Sequence, residues 1–188
     1  LDKLGSFARY RDIDGDGVGY RTLPGTNHAA ASYFTRGSGH NDKAQYTERE
    51  DDYVNNMDRL AHKFEVMRKH VPEAVEQTAE GAKIGFIAFG TSDYAVRESC
   101  DQLRDEYKIA ASYLRLRAYP FTEQMLDFIR RHDRVYVVDQ NRDAQLRMML
   151  VNEQELDPAR LEPILHYDGT PITARFIIEA IASRIRAD

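Results

Sequence analysis

Cysteine is nearly absent from this chain: Cys100 is the one example among 188 residues. A single thiol builds neither a disulfide framework nor a four-cysteine zinc or iron–sulfur site, and it suits a reducing, cytoplasmic setting. An excess of positive charge is missing as well. Lys and Arg number 26 against 31 Asp and Glu, with no basic block or stripe, so no nucleic-acid partner is expected. No apolar run reaches the roughly 18 residues that a membrane span needs, and no membrane partner or signal peptide is expected. An initiator methionine is lacking too. The chain opens on "LDKLGSFARY", as expected of part of a longer polypeptide. Hydrophobic residues make up 42%, enough for the core of one domain, or of a domain with an appended arm.

Two regions differ in character. Residues 1–47 are rich in Gly, Asp, Ser, Thr and Tyr and carry no helical or strand period. A segment this long without elements of its own is disordered or laid across a partner. Its aromatic residues (Phe7, Tyr10, Tyr20, Tyr33, Phe34, Tyr46) favour the second, because disordered tails are poor in aromatics. "TERE" then predicts a capping box, with Thr47 at the N-cap and Glu50 reaching back. Tyr53, Met57, Leu60, Phe64, Met67 and Val71 follow at steps of three and four, one apolar stripe of a long helix that Pro72 stops.

From Lys83 the pattern alternates between strand and helix. "KIGFIAFG", "IAASYLRL", "RVYVVDQ" and "PILHYD" read as strands. The intervening helices run over 92–107, through Phe121, Met125, Phe128 and Ile129, and over 143–152. The first of these has Val96, Ser99, Cys100, Leu103 and Tyr107 as its expected inner face. A last helix, capped by Thr173, should bury Ala174, Ile177, Ile178, Ile181 and Ile185. Repeated strand–helix units imply an α/β fold, a three-layer αβα arrangement around a mostly parallel sheet. The expected division is an extended arm at 1–47, a linking helix at 48–82 and an α/β domain at 83–188.

Candidate sites are few. Asp12, Asp14, Asp16 and Gly17 imitate the start of a calcium loop. The position that needs a bidentate glutamate falls on Leu23, however, and Pro24 and Gly25 forbid the exit helix. The plainer reading is a turn-rich loop, and no metal site is expected. "FGTSD", Phe89 to Asp93, places glycine and hydroxyls between a strand and a helix. That suits phosphate, but Ser92 or Asp93 as an N-cap explains it better. Cys100 sits on an apolar stripe and reads as a buried, inert thiol. His28, His40, His62 and His70 are not spaced as zinc ligands. Gln140 and Asn141 leave the carboxyl end of a strand with Gln145 one helical turn on, where open α/β sheets collect functional side chains. Tyr119, Pro120 and Phe121 follow another strand end and read as a packing corner. No nucleophile–base–orienter set is visible, so no catalytic residue is expected.

Taken in order, "GVGYRTLPGT", "TRGSGH", "RAYPFT", "VVDQNRDAQLRMMLVNE" and "LHYDGTPITARFI" resemble the C-terminal part of the α subunit of 2-oxoacid:ferredoxin oxidoreductases. The likeness is nearest to the 2-oxoglutarate type, whose α region is fused behind a γ domain. The resemblance implies an enzyme with thiamine diphosphate, Mg²⁺ and an iron–sulfur cluster, which decarboxylates a 2-oxoacid, reduces ferredoxin and forms an acyl-coenzyme A. Residues 83–188 then look like its transketolase C-terminal-like domain, and 1–47 like a segment leaving a pyrimidine-binding domain. The cofactor would lie between that domain and the partner β subunit, outside this chain, so none is expected bound here. The carried-over interface or ligand positions are Tyr119, Pro120, Phe121, Gln140, Asn141, Gln145, Asp168, Gly169 and Pro171. The chain departs from the resemblance at "GHND", Gly39 to Asp42, where many relatives carry an acidic "EHDE"-like stretch. The alternatives are a stand-alone calcium- or ligand-binding module and a transketolase-like relative with another electron acceptor.

Overall fold

A computed structural model describes residues 1, 7–35 and 37–185. The chain divides into two compact units, Leu1–Val71 and Pro72–Asp188.

Among the described residues of the first unit the regular element is helix α1, Glu50–Met67. Acidic Glu50, Asp51 and Asp52 fill its first turn, where the helix dipole favours them. The expected capping box is not formed. Arg49 occupies the N-cap and makes no capping bond from its side chain, which pairs with Asp51 instead. The Thr47 hydroxyl instead accepts from the Arg49 amide (3.2 Å) and donates to the Asp52 carboxylate (2.8 Å), so it shapes the approach rather than the cap. The helix also stops before Pro72: Lys69 and His70 amides turn back onto Val66 and Met67 carbonyls, tightening the last residues. No α1 residue is buried, and Tyr53 and Phe64 on its stripe stay 62% and 44% exposed. The arm is nevertheless tied to this helix. Arg59 donates to the Gly17 carbonyl (2.9 Å) and His62 Nε2 lies 2.8 Å from the Gly15 carbonyl oxygen. Tyr10 stacks on His40 at 3.9 Å, and its amide donates to the Asp42 carbonyl, which anchors the "GHND" loop.

The second unit is built on a five-stranded sheet in the order β1-β3-β2-β4-β5, with β1 Val75–Gln77, β2 Ile84–Phe89, β3 Ala111–Leu116, β4 Arg134–Asp139 and β5 Leu161–Leu165. β2 to β5 pair in parallel, and β1 runs antiparallel along β3. β1 was not legible in the sequence, being three residues long. β5 starts two residues before the predicted stretch, and as the edge strand it accommodates Pro163, whose missing N–H costs no ladder bond on an open side.

Side chains alternate between two apolar layers, as strand geometry requires. Phe86, Ala88, Tyr113, Tyr136, Val138 and Ile164 face helices α2, Ser92–Tyr107, and α5, Ala174–Ile185. Ile87, Leu114, Val135, Val137 and Leu161 face α3, Glu123–Arg131, and α4, Gln145–Gln154. The fold is therefore the expected α/β sandwich with helices on both sheet faces. Phe121 precedes α3 but is buried all the same. Tyr107, expected on the inner face of α2, is 45% exposed, because α2 turns it outward at its last residue. Thr173 caps α5 as expected, accepting from the Phe176 amide at 3.3 Å. Ala174, Ile177, Ile178 and Ile181 are buried, whereas the side chain of Ile185 lies outside the described residues.

Candidate functional site at the carboxyl ends of the strands

The strand order reverses between β2 and β4: the chain leaves β2 toward β3 by one face and returns past it to β4 by the other. Open α/β sheets bind ligands outside such a switch point, at the carboxyl ends of the strands. A cleft of about 850 Å³ lies there. Phe89 and Gly90 at the end of β2, Arg115 and Leu116 at the end of β3 with Arg117 to Tyr119 just after it, and Asp139 from β4 line it, and Val75, Leu146 and Met149 close its sides.

The β4–α4 loop is fixed by side chains bonding to backbone. Ala144, at the α4 N-cap, is left-handed (φ 53°) and offers no side-chain acceptor. Asn141 replaces it: its Oδ1 accepts from the Asp143 and Gln145 amides at 3.1 Å each. Asp139, 1% exposed, accepts from the Leu146 amide at 2.8 Å, and its other oxygen accepts from the Asn141 amide group. Burial pushes the Asp139 carboxyl above its ordinary range, while the bonds from Leu146 and Asn141 work against that rise. Gln140 crosses to the next loop and donates to both the Thr91 and Ser92 hydroxyl oxygens at 3.0 Å.

This crossing corrects the expectation that Ser92 or Asp93 caps α2. Thr91 holds the N-cap position, but its hydroxyl accepts from Gln140 and makes no capping bond to the helix. The Ser92 hydroxyl serves Gln140, and the buried Asp93 carboxylate lies 3.3 Å from Arg115 and 3.9 Å from Arg97. Burial, and then the Asp93 charge, raise the neighbouring Tyr113 phenol above its usual range.

Of the positions singled out in the sequence, Tyr119, Phe121, Asn141 and Gln145 line the cleft. Tyr119 packs edge-on against Phe121 at 5.4 Å and donates to Glu153 at 2.6 Å, with Pro120 buried between them. Gln140 acts from behind the cleft wall. Asp168, Gly169 and Pro171 are not brought to it. They form an exposed turn after β5, where the Thr170 amide and hydroxyl hold the Asp168 carboxyl below its ordinary range and His166 Nε2 stands 3.4 Å away. Arg115 and Arg117 were missed. Their signal was the pair of arginines interrupting the apolar run in "SYLRLR".

The acidic loop of the arm uses its carboxylates internally. Asp12 accepts from the amides of Gly15, Asp16 and Gly17; Asp16 accepts from Val18; Asp14 accepts from the Tyr20 hydroxyl at 2.7 Å. Among the described residues no three His, Cys, Asp or Glu side chains gather in a metal-holding group. Cys100 is half-buried, and desolvation pushes its thiol up to about 12, which removes its thiolate at neutral pH. No described helix is long and apolar enough to cross a membrane.

No protein-family model matches the chain. It is 27% identical over 124 residues to the α subunit of 2-oxoacid:ferredoxin oxidoreductase 2 of Aeropyrum pernix, a match covering 62% of this chain and 18% of that one. Among solved structures, the 2-oxoglutarate:ferredoxin oxidoreductase of Magnetococcus marinus, determined with 2-oxoglutarate, coenzyme A and succinyl-CoA, superposes with a TM-score of 0.80 at 20% identity, over 98% of this chain and 32% of that one. The α chain of a probable 2-oxoacid ferredoxin oxidoreductase from Thermoplasma acidophilum matches with a TM-score of 0.41 at 24% identity, over 62% of this chain and 98% of that one. This chain spans about a fifth of its curated relative's length. It is a distant homologue of part of the α subunit of the 2-oxoacid:ferredoxin oxidoreductases.

Proposed function

We propose that the chain is the C-terminal structural and assembly region of a 2-oxoglutarate:ferredoxin oxidoreductase α subunit. The observation that carries this reading is the homology over 124 residues to a curated α subunit. The whole enzyme would oxidatively decarboxylate 2-oxoglutarate to succinyl-coenzyme A with ferredoxin as electron acceptor, in the cytoplasm. In this division of labour residues 83–188 are the transketolase C-terminal-like domain, 48–82 link it, and 1–47 lie against a preceding pyrimidine-binding domain. The exposed Tyr20, Leu23, Phe34 and Tyr46 support a covered arm, because their burial in the assembled subunit would be favourable.

Mg²⁺ and the iron–sulfur cluster do not fit this chain's own side chains, and on this reading thiamine diphosphate lies outside the chain as well. One enclosed cysteine cannot ligate a cluster, and the acidic loop spends its carboxylates on backbone amides and on the Tyr20 hydroxyl. Those groups belong to the preceding domain and the β subunit, and no chemical step is assigned to residues here. The proposed role is to hold neighbours: a rigid sheet, with the β2–α2 and β4–α4 loops cross-tied by Gln140, presents a fixed edge to them.

The test is a substrate panel on the assembled enzyme, the full α chain with its β partner. Coenzyme A-dependent ferredoxin reduction is expected with 2-oxoglutarate, at a kcat/KM about tenfold or more above pyruvate and branched 2-oxoacids. Preference for another 2-oxoacid refutes the substrate assignment, and no reduction with any 2-oxoacid refutes the activity. Turnover by the 188-residue chain alone refutes the structural role.

A further inference from the structure

The geometry points to the cleft at the carboxyl ends of the strands as a binding site for a small organic monocarboxylate with an apolar body, held by Arg117 and Gln145 over a floor of Leu116 and Phe121, with Met149 at its rim. The cleft is lined wholly by residues of the second unit, and the site goes beyond the reaction proposed above while resting on the α–β assembly of that reading for its test.

Size comes first. A volume of about 850 Å³ falls within the range of roughly 300–1,000 Å³ typical of small-molecule sites. Leu116 and Phe121 are 7% and 4% exposed, giving a firm floor, while Phe89, Tyr119 and Met149 stand half-open at the rim. A wholly polar ligand would leave this apolar lining wet, so the occupant needs an apolar body.

Charge decides the head group. Of the two arginines lining the cleft, Arg115 is committed to the buried Asp93 at 3.3 Å. Arg117 is exposed and has no hydrogen bond or ion pair among the described residues. Asp139 does not oppose an anion strongly, because both its oxygens are turned to the Leu146 amide and to Asn141. Asn141 is spent on the loop backbone, whereas the Gln145 side-chain amide makes no bond among the described residues. One uncommitted guanidinium and one uncommitted amide suit a single carboxylate. A phosphate or polyphosphate would carry more charge than this cleft can balance.

The experiment uses the full α chain assembled with its β partner and two matched probes, 2-naphthoate and neutral 2-naphthamide, titrated by calorimetry. The carboxylate should bind about tenfold more tightly than the amide, the difference expected for one charge-assisted contact. Arg117→Gln should abolish that difference and Arg117→Lys should restore part of it. Met149→Trp, which crowds the cleft from its rim, should weaken both probes together. Arg117 is exposed and unbonded, so its variants are expected to melt with the wild type, which separates lost binding from lost folding. Equal affinity for the two probes, a difference that survives Arg117→Gln, or no binding of either probe because neighbouring polypeptide covers the cleft would each overturn the assignment.

Discussion

Replacing Asp139 by alanine removes the carboxylate that stands in for a cap on helix α4. The N-cap residue Ala144 offers nothing, so the first α4 amides depend on side chains from the preceding loop and strand. Loss of Asp139 leaves the Leu146 amide unpaired in a buried setting, at a cost of about 1–3 kcal/mol. Relief of a desolvated carboxylate offsets part of this, so the net loss should be about 1–2 kcal/mol, or about 2–8 °C in Tm. Thermal melts of wild type, Asp139→Ala and Asp139→Asn measure it. The asparagine variant keeps an acceptor for Leu146 and should lose less than about 1 kcal/mol. The pH dependence adds a second readout. Burial raises the Asp139 carboxyl, so the native state holds its proton to higher pH than the unfolded chain. Its contribution is greatest below the ordinary carboxylate range and is lost as pH rises through the elevated native value. Asp139→Asn should remove that slope. A melting temperature for Asp139→Ala within about a degree of wild type, together with unchanged exchange protection of the Leu146 amide, would refute the reasoning.

Gly85 on β2 packs under α3: an added Cβ would lie 2.7 and 2.9 Å from Phe128 ring carbons and 3.1 Å from His132. Because Phe128 is fully buried, Gly85→Ala should cost about 1–3 kcal/mol by denaturant melts, and no loss would show that the ring has room to move. Cys100 should react with iodoacetamide at pH 8 far more slowly in the native chain than in urea, and equal rates would contradict its burial. Arg131 donates to both Glu76 carboxylate oxygens at 2.9 and 3.0 Å, tying β1 to α3. Burial works to raise Glu76, but the Arg131 and Thr78 bonds outweigh it and hold the group low. Arg131→Ala should therefore cost about 0.5–1 kcal/mol at neutral pH, given that Arg131 is half exposed, and less below the ordinary glutamate range. A constant difference at all pH values would refute the pairing.

The α/β half was legible because its signals are local and periodic. "KIGFIAFG" and "RVYVVDQ" are apolar runs of strand length, and α2 spans 92–107 as its stripe and boundaries imply. What failed depended on competition for one hydroxyl or on partners distant in sequence. Thr47 had a capping pattern, but Arg49 and Asp52 took its oxygen. Ser92 was committed to Gln140, 48 positions away. β1 exists because Val75–Gln77 finds β3, a pairing that three residues cannot announce. Half of the cleft was foreseeable from turn chemistry in "AYPFT" and "DQNRDAQ", whereas its arginines gain meaning only once β2 and β4 place them beside the switch point.

The "DIDGDG" turn rests on bare helix backbone. A methyl group on Gly17, whose φ is +75°, would sit 2.6 Å from the Lys63 nitrogen and 2.8 Å from the Arg59 carbonyl oxygen. Saturation mutagenesis should therefore find tolerance to be lopsided across neighbouring codons. Asp14, which serves one tyrosine hydroxyl, accepts many replacements, Asp12 few, and Gly17 none. A stretch that imitates an ion-binding loop is thereby constrained by shape at its glycine, and its evolution would be governed by fit to α1 instead of by metal supply.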